Sequence, residues 1–190
     1  MLIVCLYSMK RHSVSLAKKS HEFEAFKIFQ STIVEAQGFK TRRLRMDISG
    51  EQTSQKMVDY LVTKGIGQQL VPHANSPASN PAERQLYTFF RRVLTIKIFA
   101  QLPTWLWDEL VDAVNRVDVA LPVKDNPGGA SPDAMITKKR PSAAQFKVNC
   151  CLFFVHKPAS TMEAKGVQGT VVGYAKNSVG LRVLLAGVHY

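Results

Sequence analysis

The chain has 190 residues, 46% of them hydrophobic, with 25 Lys+Arg against 14 Asp+Glu and a net charge of +11. That length fits one domain, or one domain with a small appendage, and the apolar content is enough for a core. The charge argues for a polyanionic partner, nucleic acid first and an anionic membrane face second, with a merely soluble basic protein as the alternative.

Cysteine usage narrows the class further. Cys5, Cys150 and Cys151 are odd in number and contain no Cys-x-x-Cys, and the five histidines are scattered. Neither a disulfide framework nor a zinc knuckle is expected. The apolar start, Leu2 to Tyr7, is too short to span a membrane and has no basic region ahead of it. A nuclear or cytoplasmic protein without signal peptide or transmembrane segment is the expectation.

Leu2 to Tyr7 reads as a strand, Lys10-Arg11-His12 as a turn and Val14 to Ala17 as a second strand, together a hairpin. Ser20 can cap a helix whose first turn carries Glu22 and Glu24, where the helix dipole favours them. Phe23, Phe26, Phe29 (or Gln30) and Ile33 recur at helical spacing as core, and Gly38 ends the element. Arg42 to Asp47 is the next strand, with a turn at Ser49-Gly50. Thr53 or Ser54 caps a helix with Met57, Leu61 and Val62 inward, stopped by Gly65, and Gln68 to Val71 forms a short strand.

A polar loop, Pro72 to Ser79, leads to a long helix from about Asn80 to Gln101. Leu86, Phe89, Phe90, Val93 and Leu94 form its expected buried stripe. Arg84, Thr88, Arg91 and Thr95 follow one another on a different face, which is either a solvated row or a contact for a phosphate backbone. Leu102-Pro103 breaks the helix and Trp105 to Val117 forms another. Lys124 to Pro132, with two prolines and two glycines, reads as a linker. Lys138-Lys139-Arg140-Pro141 is a compact basic cluster, a nuclear signal or simply solvated charge. Short β runs at Cys151 to His156, Thr170 to Tyr174 and Leu181 to Leu185 read as a small separate β unit.

Asp47 at a strand end and Glu83 at a helix entrance match the way polynucleotidyl transferases hold catalytic metal ions. The flanking residues sharpen this. Arg43-Leu44-Arg45-Met46-Asp47 with Gly50-Glu51 resembles an R-x-D-N-G-G-E strand, and Asn80-Pro81-Ala82-Glu83-Arg84 resembles an N-G-x-A-E-R helix entrance. Leu102-Pro103 with Trp107 and Glu109 resembles L-P-x-x-x-W-x-E. Lys139-Arg140-Pro141-Ser142, Val148, Cys151, His156, Gly169 and Gly173-Tyr174 follow a K-P-S, V-F-G-C, G-x-x-x-G-Y order. By these motifs the chain resembles the integrase of copia-type retrotransposons, across nearly its whole length.

The resemblance implies an α/β fold: a ribonuclease H-like core over residues 1–120, a linker over 121–145 and a small SH3-like β-barrel over 146–190. It implies an ancestral, metal-dependent strand transfer of element DNA into target DNA. Three carboxylates would hold two Mg²⁺ ions, with Mn²⁺ able to substitute. Asp47 and Glu83 take two of those positions. The family's first carboxylate sits on a strand just before the run that Leu2 to Tyr7 resembles, and the sequence starts after it. The core is therefore expected to lack its first central strand, with the hairpin moved to pair with Arg42 to Asp47. Two carboxylates offset the mutual repulsion of two cations poorly, so metal binding is expected to be weak or absent and the chain inactive.

Ile48-Ser49 replaces the family's Asn-Gly, Asn80 replaces a Gly, Ala74-Asn75-Ser76-Pro77-Ala78 lacks the family's prolines and glutamine, and Cys150 stands where the family has Gly. DNA, both element ends and target, is the implied partner, with RNA also open, homo-oligomer formation possible in principle and no membrane. Arg84, Arg91, Arg92, Lys138, Lys139 and Arg140 are the candidate backbone-phosphate contacts. Two other readings stay open: a non-catalytic basic DNA- or RNA-binding remnant, and a gene-model fragment without function.

Overall fold

The computed structural model describes residues 1–47, 54–71, 81–147, 150–156, 166–175 and 180–185. In chain order the elements are β1 (Leu2–Val4), β2 (Arg11–Ser13), α1 (Glu22–Phe29), β3 (Arg43–Asp47), α2 (Gln55–Thr63), β4 (Gly67–Val71), α3 (Pro81–Phe99), α4 (Trp107–Asp118), α5 (Pro132–Thr137), β5 (Leu152–His156), β6 (Gly166–Tyr174) and β7 (Leu181–Leu185). The fold is mixed α/β, and its described strands form three small sheets: β1–β2, β3–β4 and β5–β6–β7. The chain divides into two compact units, Met1 with Val14–Arg84, and Leu2–Ser13 with Gln85–Tyr190. The division falls inside α3.

The first unit is built on a β-α-β arrangement. β3 and β4 are parallel, in a register running from Arg43 opposite Gly67 to Asp47 opposite Val71, with α2 as the connection. Parallel strands need such a crossover, because a two-residue turn can join only antiparallel ones. Met57 and Leu61 of α2 are buried, together with Met46 and Ile66. Val62, expected inward, is 74% exposed. It follows Leu61 by one residue, which on a helix turns it about 100° away from the buried row. Gly65, at φ +65°, stops α2, and Ile66 N–H donates back to the Leu61 carbonyl at 2.8 Å. Phe26 of α1 is buried, its ring edge-on to Tyr60 of α2 at 6.2 Å, while Phe23, Phe29 and Ile33 are half-buried. Of the phenylalanines expected as core, Phe26 alone is fully buried. The entrance to α1 is a 3-10 turn with no side-chain cap, so Ser20 does not take the capping role expected of it.

The second unit packs α3 and α4 together over β6. Phe89, Val93, Leu102, Leu106, Leu110, Val111, Val114 and Val172 form one buried cluster. Gln101, at φ +50°, ends the α3 region in left-handed backbone, and Leu102 N–H returns to the Lys97 carbonyl at 3.0 Å. On α3, Phe89 and Val93 are buried as expected, but Leu86, Phe90 and Leu94 are 36%, 46% and 52% exposed. The apolar face of α3 is two rows wide, and only the row carrying Phe89 and Val93 belongs to the buried cluster.

The stretch read as a linker from its prolines and glycines is tied down within this unit. Asn126 is buried and its amide donates to the carbonyls of Ser8 (3.1 Å) and Ala130 (2.9 Å). Asp133 pairs with Lys10 at 2.8 Å. Residues 152–185 contribute a three-stranded antiparallel sheet; among the described residues it is not closed into a barrel.

The hairpin departs most from expectation. Its second strand is Arg11–Ser13, not Val14 to Ala17, and the turn spans Cys5 to Lys10, closed by Cys5 N–H to the Lys10 carbonyl at 2.8 Å. Among the described residues it does not re-pair with Arg42 to Asp47: there β1 pairs with β2, and β3 pairs with β4. The cause lies in β2. Arg11 is buried with its guanidinium on Asp118 of α4 at 2.5 Å and over the Phe89 ring at 5.1 Å, and Ser13 donates to Asp112 at 3.3 Å. A charged strand anchored to a helix in this way is invisible to alternation of apolar and polar residues. The expected turn at Ser49-Gly50, the loop from Pro72 to Ser79, the family-divergent positions Ile48 and Asn80, and the motif residue Val148 lie outside the described residues.

Candidate nucleic-acid and carboxylate site

Asp47 is the last residue of β3, at the carboxyl end of a parallel pair. In open α/β sheets that end is where ligands gather. Glu83 lies in the first turn of α3 and is exposed. The unsatisfied N–H groups there favour a carboxylate, and would equally favour a phosphate. Both residues belong to the first unit. Carboxylate oxygens at a strand end and a helix mouth are a donor set of the type hard divalent cations take. Among the described residues no group of three His, Cys, Asp or Glu stands close enough to hold a metal.

The basic residues fall into three places. Arg84 is exposed beside Glu83 in the first unit. Arg91 and Arg92 are exposed in the second half of α3, where Arg91 lies over the Tyr87 ring at 5.2 Å and Arg92 pairs with Asp118. Lys138, Lys139 and Arg140 are exposed at the end of α5. α5 is opened by Ser131, whose hydroxyl accepts from Ala134 N–H at 3.2 Å, and closed by Lys138 at φ +59°. Thr137 then bonds Lys139 on both sides, accepting from its N–H at 3.3 Å and donating to its carbonyl at 3.2 Å. The cluster is therefore displayed by a fixed turn.

Sequence reasoning missed Tyr87, Asp118 and Arg11. Tyr87 and Arg91 are four apart on a helix, a spacing that brings side chains together and was available to be read. Asp118 could not be read in the same way. It is 7% exposed and its two oxygens take guanidiniums from β2 and α3, residues far away in the chain.

Among the described residues no helix is long and apolar enough to cross a membrane. No family model matches the sequence. Over 178 residues the chain is 27% identical to the retrovirus-related Pol polyprotein from transposon TNT 1-94 of Nicotiana tabacum, an alignment covering 88% of this chain and 13% of that polyprotein. The chain thus spans about an eighth of that relative's length. Among solved structures, it is similar to a chain from the cryo-EM structure of the simian T-cell lymphotropic virus intasome in complex with PP2A regulatory subunit B56 gamma. There the TM-score is 0.51 at 11% identity, over 98% of this chain and 69% of that one. At that identity the likeness speaks for fold alone. The resemblance carried by the motifs stands: the chain is a relative of a retrotransposon Pol polyprotein.

Proposed function

We propose that this relative of retrotransposon Pol polyproteins is an integrase-core segment of the copia type, acting in DNA integration by binding nucleic acid through its phosphate backbone. The single observation that carries the reading is a parallel β-α-β unit whose first strand ends in Asp47, followed in the same unit by a helix with Glu83 in its first turn. The α/β core is ribonuclease H-like in this reading, and the β5–β6–β7 sheet is the SH3-like part.

Asp47 and Glu83 would hold Mg²⁺ or Mn²⁺, which when bound supplies positive charge at a scissile phosphate and an activated oxygen nucleophile. The chain's own residues do the rest. Arg84 sits beside Glu83 and Lys138, Lys139 and Arg140 form a second basic cluster; both serve to neutralise backbone phosphates without reading bases. Asp47 and Glu83 offset the charge of one divalent cation and not of two, so DNA binding rather than strand transfer is the role proposed for these 190 residues.

The test is a titration of duplex DNA at increasing salt. The affinity is expected to fall linearly with salt on logarithmic axes, and replacing Lys138, Lys139 and Arg140 with alanine to flatten the slope by about 0.9 per lost phosphate contact. Binding that ignores salt would overturn the reading. In an Mn²⁺ strand-transfer assay the chain and Asp47→Asn are expected to give the same background; product from the chain alone would refute the inactivity.

A further inference from the structure

The second unit holds a groove of about 480 Å³ between α3 and α4. Ile96, Val114 and Val117 form its apolar floor, and Tyr87, Arg91 and Arg92 stand at its rim. We propose that this groove seats one base of a single-stranded nucleic acid, with the neighbouring phosphate on the rim arginines. The inference rests on the nucleic-acid reading above and narrows it to single strands and to one place.

Charge carries the first part. Asp118 is buried beneath the groove and accepts one guanidinium on each oxygen, Arg11 on Oδ2 at 2.5 Å and Arg92 on Oδ1. One carboxylate facing two guanidiniums leaves a surplus positive charge. Arg91 has no ion-pair partner among the described residues and adds a second. The groove therefore wants an anion.

Shape carries the rest. A small hydrated anion would leave the apolar floor empty, and a purely aliphatic ligand would leave the arginines unanswered. A ligand joining a flat apolar ring to a negative group satisfies both, and a nucleotide is such a ligand. The Tyr87 ring is 62% exposed and carries the Arg91 guanidinium over its face at 5.2 Å. That is a preformed stack of the type on which bases lie, tolerant of sequence because every base has a π-face. A duplex keeps its bases paired and stacked, so only a single strand can offer one to the groove. The volume lies within the range usual for ligand pockets.

The experiment uses the full chain, a fluorescein-labelled thymidine homopolymer and a hairpin duplex of matched phosphate count, read by anisotropy. Thr95→Trp fills the groove and Tyr87→Ala removes the stacking platform; both positions are exposed on α3, and circular dichroism checks the fold. Each variant is expected to bind the single strand about tenfold more weakly, the loss of roughly one stacked base, while duplex binding is unchanged. Variants matching the parent on both probes would overturn the groove and leave the general reading intact. Failure of either nucleic acid to bind at low salt would overturn both. Displacement of the homopolymer by a Glu-Trp peptide at lower concentration than by unlabelled homopolymer would make the occupant a protein and overturn the inference.

Discussion

Backbone conformation at single residues decides which substitutions they tolerate. Cys150, where the resemblance has glycine, sits at φ +66°, the left-handed region in which glycine has no steric cost. Gln101 is similar, at φ +50° but exposed. Because its side chain packs against nothing in the core, Gln101→Gly is expected to raise stability by about 1 kcal/mol in urea unfolding. Gly169 is the opposite case. A Cβ there would lie 2.5 Å from Val183 Cγ1 and 2.7 Å from the Leu184 carbonyl oxygen, which is backbone and cannot swing away. Gly169→Ala is expected to cost about 1–3 kcal/mol through displacement of β7.

His12 supplies a pH dependence at the same scale. Burial lowers its pKa from the ordinary 6.5, opposed by the Asp112 carboxylate and reinforced by Lys10. The unfolded chain therefore binds the proton more readily, and stability rises with pH. The contribution is complete above about 6.5 and is lost as pH falls through the lower folded value. Unfolding midpoints measured from pH 7.5 down to pH 5 are expected to drop less for His12→Gln than for the parent; equal drops would assign the loss to other groups.

Among the elements, those set by local pattern were legible and those set by long-range charge were not. The spacing of Met57 and Leu61, the left-handed glycines at 38 and 65, and the Leu102-Pro103 break all announce themselves within a few residues. The hairpin did not, because β2 is anchored by Arg11 to Asp118, a partner more than a hundred positions away. On α3 the sequence gives one broad apolar face, yet only Phe89 and Val93 are buried. Phe89→Ala is expected to cost about 3–5 kcal/mol. Phe99→Ser, at a side chain 87% exposed, is expected to change the unfolding free energy little. Equal losses would mean that α3 buries both rows. For the candidate site, the flanking motifs point to Asp47 and Glu83 from the sequence alone, whereas the Tyr87 and Arg91 stack and the groove beside it needed the packing of α3 on α4.

For the whole molecule, charge and kinship converge. A net charge of +11 gives a field that attracts polyanions over several ångströms at physiological salt. The alignment with a retrotransposon Pol polyprotein gives that charge a context, and the likeness to an intasome chain speaks for the fold. Within that context the central claim is narrow: the carboxylates of Asp47 and Glu83 share one divalent cation. Mn²⁺ binding followed by electron paramagnetic resonance tests it directly, on the parent, Asp47→Asn, Glu83→Gln and the double variant. If the cation is shared, either single substitution removes as much bound Mn²⁺ as both together. Losses that simply add, or Mn²⁺ binding untouched by either change, would contradict it.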